Sequence, residues 1–134
     1  MREIKFRAWD KDKKILSPVW QISFRQWELE PDINSITLEN DGTYEPINYI
    51  IEQYTGLKDK NGVEIYEGDI LGWDYSNDPD FSDEPPGIEY GVVSWRDYCC
   101  GFVLTVDGDE EALSDVNLEQ HDICGNIHEN PELL

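Results

Sequence analysis

Residues 53–70 read Gln-Tyr-Thr-Gly-Leu-Lys-Asp-Lys-Asn-Gly-Val-Glu-Ile-Tyr-Glu-Gly-Asp-Ile, and they carry the strongest structural signal in this chain. Two short runs rich in β-branched and aromatic residues flank Asn61-Gly62, a dipeptide that tolerates positive φ and is typical of a hairpin tip. We predict a tight hairpin there and a second bend at Gly68, where glycine can supply a kink.

Further strands follow this hairpin towards the C-terminus. Short apolar runs bounded by turn residues predict strands over 70–73, 90–95, 101–106 and 123–128. Residues 74–87 contain five acids and three prolines, which predicts a long exposed loop. Five or six short strands from about Gln53 onwards predict a small antiparallel barrel.

Extended structure is also predicted before this hairpin. Residues 4–9 alternate between apolar and polar, with Ile4, Phe6 and Ala8 on one face and Lys5, Arg7 and Trp9 on the other. A polar turn over 10–14 and an aromatic-rich run over 15–24 complete a first hairpin. Residues 33–38 suit another strand, while residues 46–52 fit either a strand or one to two helical turns.

Composition excludes several classes of protein. The 134 residues match the usual size of one domain, and 16 aromatic rings can supply much of its core. Cys99, Cys100 and Cys124 form an odd set, which favours a reducing compartment over a disulfide framework. The N-terminus has no apolar run of a signal peptide, and no apolar run reaches membrane-spanning length. We therefore expect a cytoplasmic protein that contacts no membrane.

Charge is distributed very unevenly along the chain. The formal net charge is -20, yet residues 1–25 hold seven basic and three acidic residues and are net +4. Residues 61–134 hold 19 acidic residues and a single basic one, Arg96, and are net -18. Such an acidic portion either keeps surface loops solvated or presents a face that repels or imitates DNA.

The chain resembles the YopX family, whose members are carried by bacteriophages and prophages of bacteria. The resemblance rests on residues 53–62 and 65–70, on the opening Met1 to Trp9, and on the closing Gly125 to Leu134. It implies a mostly β structure, with an N-terminal β-hairpin region over 1–52 and an SH3-like small antiparallel barrel over 53–134, packed as one compact unit. It implies no activity, and no catalytic or ligand residues can be carried over.

Metal sites were considered and not predicted. His121, Cys124 and His128 are spaced as H-x2-C-x3-H, and Cys99 or Cys100 could complete a zinc site only by converging from elsewhere. Adjacent residues of a strand point to opposite faces, so at most one of this vicinal pair could contribute. The acidic runs at 78–83 and 107–112 lack the glycine that an EF-hand loop requires at its sixth position.

The sequence carries no catalytic constellation. It has no G-x-S-x-G, no phosphate-binding glycine loop with Lys and no H-E-x-x-H. We therefore predict that the protein is not an enzyme and uses no cofactor.

Protein binding is the leading hypothesis, because exposed strand edges and unburied rings favour association. We expect an uncharacterised phage or prophage accessory protein that forms homo-oligomers or binds a host or phage protein. Trp9, Trp20 and Trp27 are the candidate contact residues, since the N-terminal region holds more ring area than short strands can bury. The main alternative is an acidic DNA mimic that binds a basic nucleic-acid-binding protein. Direct nucleic-acid binding ranks third, because the net charge opposes it.

Overall fold

A computed structural model describes residues 3–24, 33–38, 42–44 and 48–134 of the chain. In these residues the secondary structure is mostly β, in two antiparallel sheets, with helices present only as short 3-10 turns. The predicted β class is therefore confirmed. The chain divides into two compact units, Met1–Tyr54 and Thr55–Leu134, where the sequence predicted a boundary after residue 52. No helix within the described residues is long and apolar enough to cross a membrane.

The first unit contains one antiparallel sheet. Its strands are β1 (Phe6–Asp10), β2 (Ile15–Phe24), β3 (Ile33–Leu38), β4 (Gly42–Tyr44) and β5 (Tyr49–Lys58). They are hydrogen-bonded in the order β4-β3-β2-β1-β5, and β5 continues beyond Tyr54 into the second unit. The predicted N-terminal hairpin and the strand over 33–38 are confirmed. The strand alternative for residues 46–52 is correct in the part that the structure describes.

The core of the first unit forms around β1. Ala8, Ile36 and Leu38 are buried there, and partly buried side chains from β2, β3, β4 and β5 pack against them. Trp9 is also buried, although the alternation predicted that it would point away from Ala8. Its neighbours Ala8 and Asp10 are buried as well, so both faces of β1 are covered at this end of the strand.

Asp10 fixes the turn between β1 and β2. Its carboxylate accepts the backbone N–H groups of Asp12 and Lys13, each at 2.9 Å. These donors, Lys13 foremost, hold the pKa of Asp10 below its usual value. The turn that Asp10 closes leaves the side chains of Lys11, Lys13 and Lys14 exposed.

The second unit contains six strands besides the end of β5. They are β6 (Glu64–Tyr66), β7 (Asp69–Asp74), β8 (Ile88–Arg96), β9 (Gly101–Val106), β10 (Asp109–Ala112) and β11 (His121–Asn126), with 3-10 turns at Pro79–Phe81, Asp97–Cys99, Leu118–Gln120 and Pro131–Leu133. β6 pairs with β5, and the other strands form a five-stranded sheet in the order β10-β9-β8-β7-β11. Its core is centred on Ile65, Leu71, Val93, Leu104 and Leu113.

The hairpin around Asn61-Gly62 is present, but its loop is longer than predicted. Gly62 has a φ of +79°, whereas Asn61 does not have a positive φ, so the two-residue primed turn does not form. Instead the loop runs from Asp59 to Val63, because the Asp59 carboxylate accepts the N–H groups of Asn61 and Val63 at 2.9 Å each. The second predicted bend is confirmed, with a φ of +83° at Gly68.

The barrel predicted for residues 53–134 is not closed. The edge strands β10 and β11 are not paired with each other, so the five-stranded sheet is open. β10 has the sequence Asp-Glu-Glu-Ala and is exposed throughout. A short, charged strand of this kind ends a sheet and discourages further pairing, which explains why closure stops there.

Gly91 lies where the second unit has no room for a side chain. A Cβ at this position would lie 2.7 Å from Val106 Cγ2 and 2.9 Å from Leu104 Cδ1. We expect Gly91→Ala to lower the free energy of unfolding by about 1–3 kcal/mol through overpacking. Gly101→Ala is the matched control, since its Cβ would meet nothing nearer than 3.7 Å. Urea denaturation measures both, and equal stability of the two variants would contradict the packing.

Candidate functional site

Trp20 lies at a β-bulge in β2. Val19 pairs with Leu38 and Gln21 pairs with Thr37, so Trp20 is an extra residue opposite two adjacent residues of β3. A bulge redirects side chains without ending the strand. Val19 therefore still packs against the first core, while the Trp20 side chain is 72% exposed.

Other exposed apolar side chains surround Trp20. Ile4 and Phe24 are 65% and 58% exposed. A shallow concavity of about 350 Å³ lies here. We give the name Trp20 surface to six of the residues that line it: Ile4, Lys5, Phe6, Trp20, Ile22 and Phe24. Contiguous exposed apolar residues of this kind mark interaction sites more often than solvated surface.

The three predicted contact tryptophans have different locations. Trp20 is exposed and central to the Trp20 surface, whereas Trp9 is 5% exposed and lies within β1. Trp9 therefore has little surface to offer a partner. Trp27 lies outside the residues that the structure describes.

Positive charge accompanies the Trp20 surface. The Lys5 ammonium lies 3.0 Å from Glu3 Oε1 and 5.6 Å from the centre of the Tyr54 ring. Arg7 is instead turned inward, with Nε 3.4 Å from Glu52 Oε1 and both side chains largely buried. Among the described residues of the β1–β2 hairpin, the lysines of its turn are exposed and Lys5, just before β1, is half-buried.

An aromatic cluster lies in the second unit around Trp73. The Phe81 ring meets Trp73 edge-on at 5.3 Å, the His121 ring stacks at 6.2 Å, and the Tyr75 ring lies at 6.0 Å. Tyr75 and Phe81 belong to the loop over residues 74–87, which the sequence predicted to be exposed. In the sequence, this packing was indicated by the presence of two aromatic residues in an otherwise polar loop.

An acidic groove adjoins Tyr75. It consists of two neighbouring concavities, of about 460 and 310 Å³, that share Glu89 and Asp107. Apolar and polar side chains line the larger one, including Tyr75, Ile88, Tyr90, Val92 and Thr105. Further carboxylates line the smaller one, namely Asp109, Glu110 and Glu111. Sequence analysis missed the groove, although the alternation of Ile88, Tyr90 and Val92 pointed to an apolar face.

The residues considered as metal ligands are engaged in other contacts. His121 Nδ1 lies 2.7 Å from the carbonyl oxygen of Asn117, and the Asp78 carboxylate accepts the N–H of Asp80 at 2.9 Å. Cys99 lies in a 3-10 turn and Cys100 follows it with a φ of +48°, so they are not strand neighbours as assumed. The described residues contain no group of three His, Cys, Asp or Glu side chains arranged to hold a metal ion.

Comparisons with known proteins find one family and related structures. A family model described as YopX protein matches residues 5–134. The crystal structure of protein EF1440 from Enterococcus faecalis is 27% identical, with a TM-score of 0.61, and 100% of this chain and 99% of that chain are covered. Protein yopX from Bacillus subtilis has a TM-score of 0.62 with the same coverage, and at 18% identity it shows the fold alone. No curated protein matches significantly.

Proposed function

The chain belongs to the YopX protein family, and from that membership we propose that it is a non-enzymatic accessory protein of a bacteriophage or prophage. It acts by binding proteins in the cytoplasm of the bacterial host, first of all other copies of itself. The proposed activity uses no cofactor and no catalytic residue.

The observation that carries this proposal is the position of Trp20. A tryptophan that is 72% exposed at a bulge, next to exposed Ile4 and Phe24, leaves a large apolar area in contact with water. Burying such a ring against a partner is favourable by several kcal/mol, at about 25 cal/mol per Å² of apolar surface. Buried tryptophans are also the residues that most often dominate protein interfaces.

Charge supports a head-to-tail contact between copies. Residues 1–25 are net +4 and contain the whole Trp20 surface, while residues 61–134 are net -18. Two acidic portions would repel each other, whereas a basic N-terminal portion attracts an acidic one. A contact between unlike surfaces is heterologous, so it forms rings or chains of subunits.

An acidic DNA mimic remains the second candidate, supported by the 19 acidic residues over 61–134. In that case the partner is a basic nucleic-acid-binding protein, and the carboxylates take the place of phosphates. Direct nucleic-acid binding ranks third, because the net charge of -20 opposes it even though the lysine turn of the first unit favours it.

For the second unit we propose an SH3-like, partly open barrel. A meander of β7, β8, β9 and β10 with β11 returning beside β7 supports this description. The 3-10 turn Leu118–Gln120 immediately before β11 is consistent with it.

Co-expression of a tagged and an untagged copy tests the proposed function. We expect the untagged chain to co-purify with the tagged one at low salt and less of it to be retained at high salt, because exposed charges are screened. Recovery of a basic DNA-binding protein without the untagged chain would favour the mimic instead. Recovery of neither would contradict protein binding.

A further inference from the structure

The acidic groove combines an apolar floor with a charged rim. Ile88, Tyr90 and Val92 alternate along β8 and so share one face of the sheet. Ile88 is 49% exposed and lines the larger concavity, so apolar surface is available there for contact. Glu89 and Asp107 stand where the two concavities meet. A ligand that fits this groove therefore carries both apolar groups and cations.

The second unit holds few cations that could pair with the carboxylates of the groove. Residues 55–134 contain three basic residues, Lys58, Lys60 and Arg96. Arg96 Nε lies 2.7 Å from Glu110 Oε1, and Lys60 Nζ lies 3.3 Å from Asp122 Oδ2.

Two carboxylates line the larger concavity, Glu89 and Asp107, and the part of the chain that the structure describes provides no ion pair for either of them. Like charges that line one concavity repel one another, and an incoming cation relieves that repulsion.

We propose that this groove receives the β1–β2 hairpin of a second copy, with Trp20 over the apolar floor and Lys5 and the turn lysines against the rim. The inference rests on the proposed self-association and names its receiving surface. The hairpin is the matching ligand on this chain because it carries exposed apolar rings and exposed cations on one short segment. Both properties are needed, since the groove is neither purely apolar nor purely acidic.

Mixing two defective variants tests this arrangement. Trp20→Ser damages the hairpin and keeps the groove, while the double variant Glu89→Lys/Asp107→Lys damages the groove and keeps the hairpin. We expect each alone to sediment as a 15.6 kDa monomer. Mixed in equal amounts, they should form a complex of two chains and nothing larger, because only one intact contact remains.

The control is Asp83→Lys/Glu84→Lys, which makes the same charge change on the exposed loop. This variant should assemble like the wild-type protein. Far-ultraviolet circular dichroism checks that all variants fold. If the double lysine variant does not fold, Glu89→Gln/Asp107→Asn replaces it, with an expected rise in dissociation constant of at least about tenfold.

The outcomes separate this inference from the proposed function. If the groove variants assemble like the wild type while Trp20→Ser does not, the groove is not the receiving surface. Self-association through the Trp20 surface would then still hold. A mixture that stays monomeric would also contradict the groove as the receiving surface, because that result indicates contact between identical surfaces. Wild-type protein that is monomeric at the same concentration would overturn the self-association on which the inference rests.

Discussion

Asp59→Asn is expected to lower the free energy of unfolding by about 2–4 kcal/mol, from the loss of charge-assisted hydrogen bonds to a buried group. Asp59 is 7% exposed. Its Oδ1 accepts two N–H groups of its own loop, and its Oδ2 accepts the N–H of Ile123 at 3.0 Å. An asparagine has one acceptor oxygen only, so its NH2 group would face a backbone donor.

The same carboxylate predicts how stability depends on pH. Burial raises the pKa of Asp59, but the N–H groups of Ile123, Val63 and Asn61 together bring it below its usual value. A folded pKa below the unfolded one stabilises the protein above about pH 4, and this contribution is lost as pH falls through the folded pKa. Asp59→Asn should therefore lose less stability than the wild type on acidification.

Urea denaturation at pH 7 and at about pH 3 measures both effects. Asp83→Asn is the control, since it removes an exposed loop carboxylate and should change stability by less than about 0.5 kcal/mol. An Asp59→Asn variant as stable as this control would show that the loop does not depend on the carboxylate.

Trp20→Ser is expected to raise the dissociation constant of self-association at least roughly thirtyfold. The estimate corresponds to a loss of about 2 kcal/mol, the usual threshold for a dominant interface residue. Because Trp20 is 72% exposed and lies outside the β2–β3 ladder, the folded monomer should keep its stability.

Trp95→Ser is the matched control for this variant. Trp95 is 40% exposed, lies on β8 in the second unit and is not part of the Trp20 surface. Sedimentation equilibrium over a concentration series gives the dissociation constants. If both tryptophan variants weakened association equally, the specific role of Trp20 would be refuted.

Local signals predicted much of the fold. Glycine at 62 and 68, the polar turn after β1, the alternation within β1 and the short apolar run of β9 each depend on neighbours in sequence, so single-sequence patterns locate them. The class of structure and most of the strand positions follow from such signals. The length of the Asp59–Val63 loop does not, because the carboxylate that shapes it also binds Ile123, 64 residues away.

The candidate surfaces were only partly predictable. Trp20 was identified from ring content, but its exposure depends on a bulge against β3 that no local pattern specifies. Trp9 was chosen on the same ground and is buried, because both faces of β1 are covered where it lies. The acidic groove depends on β8 and β9 lying side by side with the C-terminal residues. Pairings between distant segments cannot be deduced from periodicity alone.

The mass of the wild-type protein in solution tests the proposed self-association most directly. Sedimentation equilibrium at micromolar concentration and low salt should give a multiple of 15.6 kDa that decreases as salt is added. A mass of 15.6 kDa under these conditions would contradict the proposal that this chain associates with itself through its Trp20 surface.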